Sequence, residues 1–507
     1  MRHTRFWSVL AIVSAQACAA PVEDLPEGAA EAAAATITEA DFMTRVGVIA
    51  HDSMLGRNTP SPQLDLTAQY IAGEFERMGL EPGLGNSYIQ TYPIRRSRLD
   101  TETSGVEFQG ATLRFGADAA ARRASPTGES GVSGPAVLVT GTTEDPAAFD
   151  ELDLEGKMVV AITASSQTNT WRRALGAQGP AGMVFVTDID DENMEGLMNF
   201  TTRESVTKGW GEAGAGGRAP MVEVRRSAVQ PALEALGVDV ADALSNPGAL
   251  LATPLDDTEI TITIVHEILE ETTAPNVVAV LEGRDPKLRD EYVVFSGHMD
   301  HVGVGNPVNG DSIYNGADDD ASGTIAVVEI AEAFSQMAQP PRRSMIFLLV
   351  SGEEKGLWGS EYYADNPTVP IEDIVANLNT DMVGRNWPDT IVAIGKEHSD
   401  LGETMNRVNE AHPELGMTAI DDIWPGERFY FRSDHYNFAR NGVPILFFFN
   451  GVHEDYHRPS DHVDKIDGEK AARLSQLVFY LGVEIGEAAE RPEWNPESYA
   501  QIVESRR

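Results

Sequence analysis

Apolar residues recur along this chain with two periods, and the change from one to the other marks its elements. Leu64, Ala68, Ile71, Phe75 and Met78 stand three or four positions apart, which predicts an amphipathic helix that Gly79 can end. Residues 88–94 read as a strand. Between about 100 and 265 the apolar runs are short, at 137–139, 158–162, 182–186 and 220–224, with a helical segment at 171–178 and Gly-, Thr- and acid-rich connections. From 276 onward strands and helices alternate. Runs at 276–281, 292–295, 374–378, 390–394 and 443–449 predict strands, and 322–337 predicts a helix. The run 345–350 is so continuously apolar that it reads as a central parallel strand. Ala471, Leu474, Leu477, Leu481 and Ile485 mark a closing helix. The pattern predicts an α/β domain, a mixed and mainly parallel sheet sandwiched by helices, formed by residues 38–99 and 266–490. Residues 100–265 read as a β-rich module inserted into it, and 491–507 as a tail.

Composition and charge narrow the function classes. With 79 acidic against 38 basic residues the formal net charge is −41, which disfavours nucleic-acid binding, because phosphate contacts need a basic surface. Arg2 and Arg5 precede the apolar stretch 6–13 and then small residues, the layout of a signal peptide over residues 1–19. The single cysteine, Cys18, lies in the cleavage region. Cleavage before it with lipid attachment would anchor the protein to a membrane, whereas cleavage after Ala17 or Ala19 would release it. Either way the expectation is an exported protein, periplasmic or extracellular, with a mature fold free of disulfides. Residues 20–37, rich in Ala, Glu and Pro, read as a linker.

The chemistry-bearing residues follow the apolar runs of the C-terminal half, where ligands gather in such sheets. They are Gly297-His298-Met299-Asp300, Asp318-Asp319-Asp320 in a Gly- and Ser-flanked turn, Glu353-Glu354, Asn379-Thr380-Asp381 and Tyr456-His457. Together they offer two imidazoles and at least four carboxylates, a set that suits a pair of zinc ions. Adjacent residues at a strand end point in different directions, so one of Glu353 and Glu354 can bind metal while the other faces a water. Asp300, two residues after His298, can hold the second ring nitrogen of that imidazole. By the same two-residue period His301 falls on the side opposite His298. His453 reads as support for its loop, His435 and His462 fit no ligand position, and His51, His266, His398 and His412 read as structural or surface residues.

The ordered motifs Ser-Gly-His-Met-Asp, Asn-Gly-Ala-Asp-Asp-Asp-Ala-Ser-Gly, Ser-Gly-Glu-Glu-Lys-Gly, Leu-Asn-Thr-Asp-Met-Val-Gly, Arg-Ser-Asp-His and His-Glu-Asp-Tyr-His-Arg-Pro-Ser-Asp resemble those of the co-catalytic di-zinc exopeptidases. The resemblance covers about 40–95 and 270–490. It implies peptide substrates, two zinc ions, and hydrolysis of N-terminal residues through a metal-bridging hydroxide. By position it implies His298, Asp319 and Asp381 at one zinc, and Asp319, Glu354 and His457 at the other. Glu353 is then the general base, Tyr456 the donor to the oxyanion, and Asp300 a partner of His298. Arg432 and Phe449 match positions near the substrate. Many relatives carry Asn where this chain has Asp320, which leaves the choice between Asp319 and its neighbours open. A carboxypeptidase or dipeptidase on the same scaffold is the alternative. A glutaminyl cyclase or a non-enzymatic receptor fits less well, because such proteins lack part of the ligand set and all five positions are filled here. Within the insert, Leu154-Glu155-Gly156-Lys157-Met158-Val159-Val160, a helix, and Ala181-Gly182-Met183-Val184-Phe185-Val186 resemble the protease-associated domain.

Overall fold

Alternation along Ser344–Val350 builds two cores at once. Met345, Phe347 and Leu349 enter one apolar cluster, while Ile346, Leu348 and Val350 enter another on the opposite face of the sheet. The same division holds for Val293 and Phe295 against Val294, and for Val277 and Ala279 against Val278. A sheet apolar on both faces must be covered on both, which is why its strands read as unbroken apolar runs.

The computed structural model describes residues 24–506 apart from 125, 144 and 211–218; the leader and Cys18 lie outside the described residues. The chain forms two compact units, one of residues up to Tyr92 together with Ala274–Arg507, the other of Pro93–Thr273. Consecutive strands of the first unit's sheet are β1 (His266–Leu281, which begins in the second unit), β2 (Tyr292–His298), β3 (Ser344–Val350), β4 (Ile374–Asp381), β5 (Thr390–Ile394), β6 (Thr418–Ile420) and β7 (Ile445–Phe449). They lie in the order β6-β5-β7-β4-β2-β3-β1. The pairs β7–β4, β4–β2, β2–β3 and β5–β6 are parallel, while β5–β7 and β3–β1 are antiparallel.

Among the helices of this unit are α1 (Ala29–Ala34), α2 (Glu39–Ile49), α3 (Pro62–Met78), α4 (Gly323–Ser335), α5 (Trp358–Asp365) and α6 (Gly468–Glu487). Ser61 caps α3 by accepting from Leu64 N–H, and Gly79 ends it in the left-handed region at φ 77°. Helix α4 is buried on nearly every side. Its carboxylate Glu329 would be costly there, and Arg45 of α2 reaches in to pair with it and with Glu332. The stretch 20–37, expected to be a linker, is structured at its end. Ala33 and Ala34 of α1 are buried in the core, and Gln476 of α6 donates to the carbonyls of Ala34 and Ile37. Alanine is the best helix former, and small side chains let α1 lie close against α6.

The second unit is an eight-stranded sheet of its own. Its central strands Val132–Thr140, Met158–Ile162, Gly182–Val186 and Met221–Val224 run parallel, and antiparallel strands flank them. Helix Thr168–Gly176 packs Trp171 edge-on against Phe149, with ring centroids 5.5 Å apart. Among the described residues, no helix is long and apolar enough to cross a membrane.

Candidate metal centre

Register brings the functional residues to one edge. Because β2, β3 and β4 are parallel, with His298 opposite Val350 and Ser296 opposite Asn379, their carboxyl ends finish together. His298 ends β2, Asp381 ends β4, and Glu353 and Glu354 follow β3 after a turn at Gly352, whose φ is 72°. The turn before α4 carries three aspartates with different duties. Asp320 accepts from the N–H groups of His298, Gly323 and Met382 at 2.9–3.1 Å. Asp318 accepts from Gly384 N–H and the Ser322 hydroxyl at 2.7 and 2.9 Å. Asp461 receives the N–H groups of both Asp318 and Asp319 at 3.0 and 3.2 Å. Asp319 is thereby aimed at the imidazoles: Oδ1 lies 3.4 Å from His298 Nε2, and Oδ2 lies 3.0 Å from His457 Nε2. Of the three acids, Asp319 is the one that belongs to both candidate donor groups.

Two groups of donors close enough to hold an ion share this carboxylate: His298, Asp319 and Asp381, and His301, Asp319, Glu354 and His457. The residues fit a pair of cations. Among the described residues, both ring nitrogens of His301, Asp319 Oδ2 and Glu354 Oε1 are buried without a hydrogen-bond partner, although His301 Nδ1 lies 3.0 Å from Glu354 Oε1. Atoms so close yet misaligned for hydrogen bonding are placed for a common third partner. The donor set of imidazole and carboxylate is that of zinc. Four acids, Asp319, Glu353, Glu354 and Asp381, also crowd one place, an arrangement too expensive without compensating positive charge.

Electrostatics separate the two glutamates. Burial, reinforced by Asp434, Asp381 and Glu354, pushes Glu353 well above the ordinary carboxylate value. Burial also acts on Glu354, but the imidazoles of His301 and His457 outweigh it and leave the group lowered to about 2. Asp434 is pushed up to about 7 by its burial. Tyr456, stacked on His457 with ring centroids 3.9 Å apart, is held above its usual value by burial and by Asp319 and Glu354. Glu353, Tyr456, Arg432 and Phe449 line one cavity with His298, Asp319, Asp381 and His457. Its apolar wall is Met382, Phe429, Phe447, Phe449 and Val452, with Phe447 stacked on Phe449 at 5.3 Å. Arg432 is half-exposed, 4.8 Å over the Phe429 ring and 3.5 Å from Glu427.

The model of Peptidase family M28 matches residues 276–482. This segment carries every member of the two donor groups. A "Probable zinc metalloprotease" of Pyricularia oryzae is 29% identical over 239 residues, 40% of this chain and 46% of its own length. A "Probable leucine aminopeptidase" of Arthroderma benhamiae is 25% identical over 238 residues, 44% of this chain and 60% of that protein. The chain therefore spans about half the length of the curated relatives it matches. The solved aminopeptidase from Aneurinibacillus sp. strain AM-1 is 18% identical, with a TM-score of 0.52 over 91% of this chain and 97% of that one, and shares the fold.

His301 departs from expectation. The two-residue period that set it opposite His298 requires an extended chain, but β2 ends at His298 and the backbone turns, with Gly303 at φ 85°. Asp300 stands beside His298 as expected, its Oδ1 3.7 Å from Nδ1 and its backbone carbonyl 3.2 Å from the same nitrogen, while its carboxylate also accepts from the Thr59 hydroxyl at 2.9 Å and from Glu353 N–H at 3.3 Å. His453 braces its loop, with Nε2 3.2 Å from Asp318 and Nδ1 accepting from Asp455 N–H. His435 is structural, stacked on Phe447 at 4.2 Å.

One further contributor lies far away in sequence. Arg57, fully buried, donates to the carbonyls of Met299, Ile49, Asn315 and Gly316 at 2.7–2.9 Å, tying the His298 loop to the Asp319 turn. Thr59 joins them to Gly352 N–H, which donates to its hydroxyl at 3.1 Å. Nothing in the local pattern around Gly56-Arg57-Asn58 distinguishes this arginine from a surface one. Ser433 gives its hydroxyl to Asp381 at 2.9 Å, a role that the Arg-Ser-Asp-His motif flagged only by position.

Proposed function

We propose that the chain is an exported aminopeptidase that uses two zinc ions to remove N-terminal residues from peptides. The observation that carries this reading is the division of Asp319, whose Oδ1 faces His298 and whose Oδ2 faces His457. His298, Asp319 and Asp381 would hold one ion, and Asp319, Glu354 and His457 the other. Bound zinc supplies acidification of water and polarisation of a carbonyl. Glu353, part-buried in the cavity wall with a raised proton affinity, is suited to take the proton of the attacking water and pass it to the departing amine. Tyr456 keeps its proton at neutral pH and presents a donor to the carbonyl oxygen as negative charge develops there. The surrounding carboxylates favour a free ammonium group, and the Phe429, Phe447 and Phe449 wall favours an apolar first residue. The names of the relatives support the same activity. For Pro93–Thr273 we propose a protease-associated type of module, on the strand order and glycine positions of 154–186.

The test is release of chromophore from aminoacyl-p-nitroanilides by the full chain. Turnover is expected to be chelator-sensitive and highest on leucine and phenylalanine. Glu353→Gln should retain its metal and lose at least about 100-fold in kcat. Undiminished turnover in that variant, or after metal removal, would sink the reading.

A further inference from the structure

We propose that His301 is a fourth protein ligand at the second metal position, so that the two halves of the centre are unequal: one closed by protein, the other open to substrate. The inference rests on the two-ion reading above. The His301 ring is fully buried, and neither nitrogen has a hydrogen-bond partner among the described residues. It is held by packing: a Cβ on Gly316 would stand 2.5 Å from its Cγ, so glycine is needed there to admit the ring. Its backbone N–H donates to the Arg57 carbonyl at 3.3 Å, which fixes the stretch that carries it.

The spacing of the donors is that of a coordination shell. His301 Nδ1 is 3.0 Å from Glu354 Oε1 and 3.6 Å from Asp319 Oδ2. His457 Nε2 is 3.1 and 3.0 Å from the same two atoms. A tetrahedron with zinc–ligand bonds of about 2.0 Å has edges of about 3.3 Å, and these four distances bracket that value. The first position is built differently. His298 Nε2 is 3.4 Å from Asp319 Oδ1 and 3.7 Å from Asp381 Oδ1, and this group has three members. All three members of the first group, His298, Asp319 and Asp381, border the substrate cavity; of the second group Asp319 and His457 border it, whereas His301 and Glu354 do not. Four protein donors, two of them set behind the cavity wall, make a closed site of the structural kind, and three donors that all face the cavity make an open one. The closed position fills first and empties last, and exchange or partial chelation acts on the open one.

The experiment is calorimetric titration of the metal-stripped full chain with Zn²⁺, with bound metal counted by plasma emission. Wild type should take two ions in a tight and a weaker class. His301→Ala should lose the tight class by more than the roughly 10- to 100-fold typical of residues that merely support a ligand. His301→Gln should do likewise, with free imidazole restoring binding in the Ala variant. Wild-type affinities for both ions in these variants would overturn the proposal and leave the two-ion reading standing; failure of wild type to bind two ions would overturn both. A measurement without variants guards against misfolding: the first equivalent of Co²⁺ should give the intense visible bands of a four-coordinate ion. Weak bands of higher coordination would refute it.

Discussion

Asp455 shows how a single residue can govern the loop that delivers Tyr456 and His457. Its carboxylate receives Lys465, the Ser460 hydroxyl and Arg385 at 2.6–3.1 Å. Burial alone would raise its pKa, but these donors outweigh it and hold the group well below the usual carboxylate range. A depressed value means the charged form stabilises the fold at every pH above the unfolded pKa of about 3.9, and that this contribution is lost as pH falls through the folded value. Asp455→Asn should therefore cost about 2 kcal/mol at neutral pH. In paired thermal melts the gap between variant and wild type should be constant above about pH 5 and close below about pH 4. A gap that widened with acid would contradict the assignment. Phe449→Ala, in the apolar wall, should lower kcat/KM on leucine and phenylalanine substrates by about tenfold and spare alanine substrates, as a nitroanilide series would show.

At the scale of elements, what was legible was what a single strand or helix determines by itself. His298, Asp381 and the Glu353-Glu354 pair were visible because each stands where an apolar run stops, and the period of two held along β2, β3 and β4. It failed one step later, at His301, because the strand had ended and a turn follows no period. Arg57 was invisible for a different reason: its partners are set by tertiary folding, with Met299 lying 242 positions on. Four buried carbonyls depend on that one guanidinium; an unpaired buried acceptor costs about 1–3 kcal/mol, and because the four share one partner these costs do not simply add. Arg57→Met should accordingly destabilise the chain by about 3 kcal/mol or more in urea and weaken zinc binding by about tenfold or more. A variant with normal metal affinity would show that the clamp supports the fold without supporting the site.

At the scale of the whole molecule, the first unit is discontinuous in sequence and continuous in structure. The Tyr88 carbonyl accepts from Val278 N–H at 2.7 Å, and the Gln90 side chain meets Asn276 at 3.1 Å, so the outgoing and returning segments run side by side where the chain leaves the unit. Replacing Pro93–Thr273 with an Asn-Gly turn is expected to leave a folded peptidase unit that still binds metal, measurable by circular dichroism and zinc content. An unfolded product would show that the unit needs its insert. The same discontinuity sets an order of assembly during synthesis. Pro93–Thr273 carries its own apolar clusters and is complete once its last strand has left the ribosome. Phe42, Ile71 and Phe75 of α2 and α3 share a core with Leu474 and Leu481 of α6, which is made near the end. At 5–20 residues per second the roughly 400 intervening residues take on the order of 20–80 s. Through that interval α1 and α2 wait without the last helix they pack against, and the part of the chain that emerges second is the part whose partners are all present first.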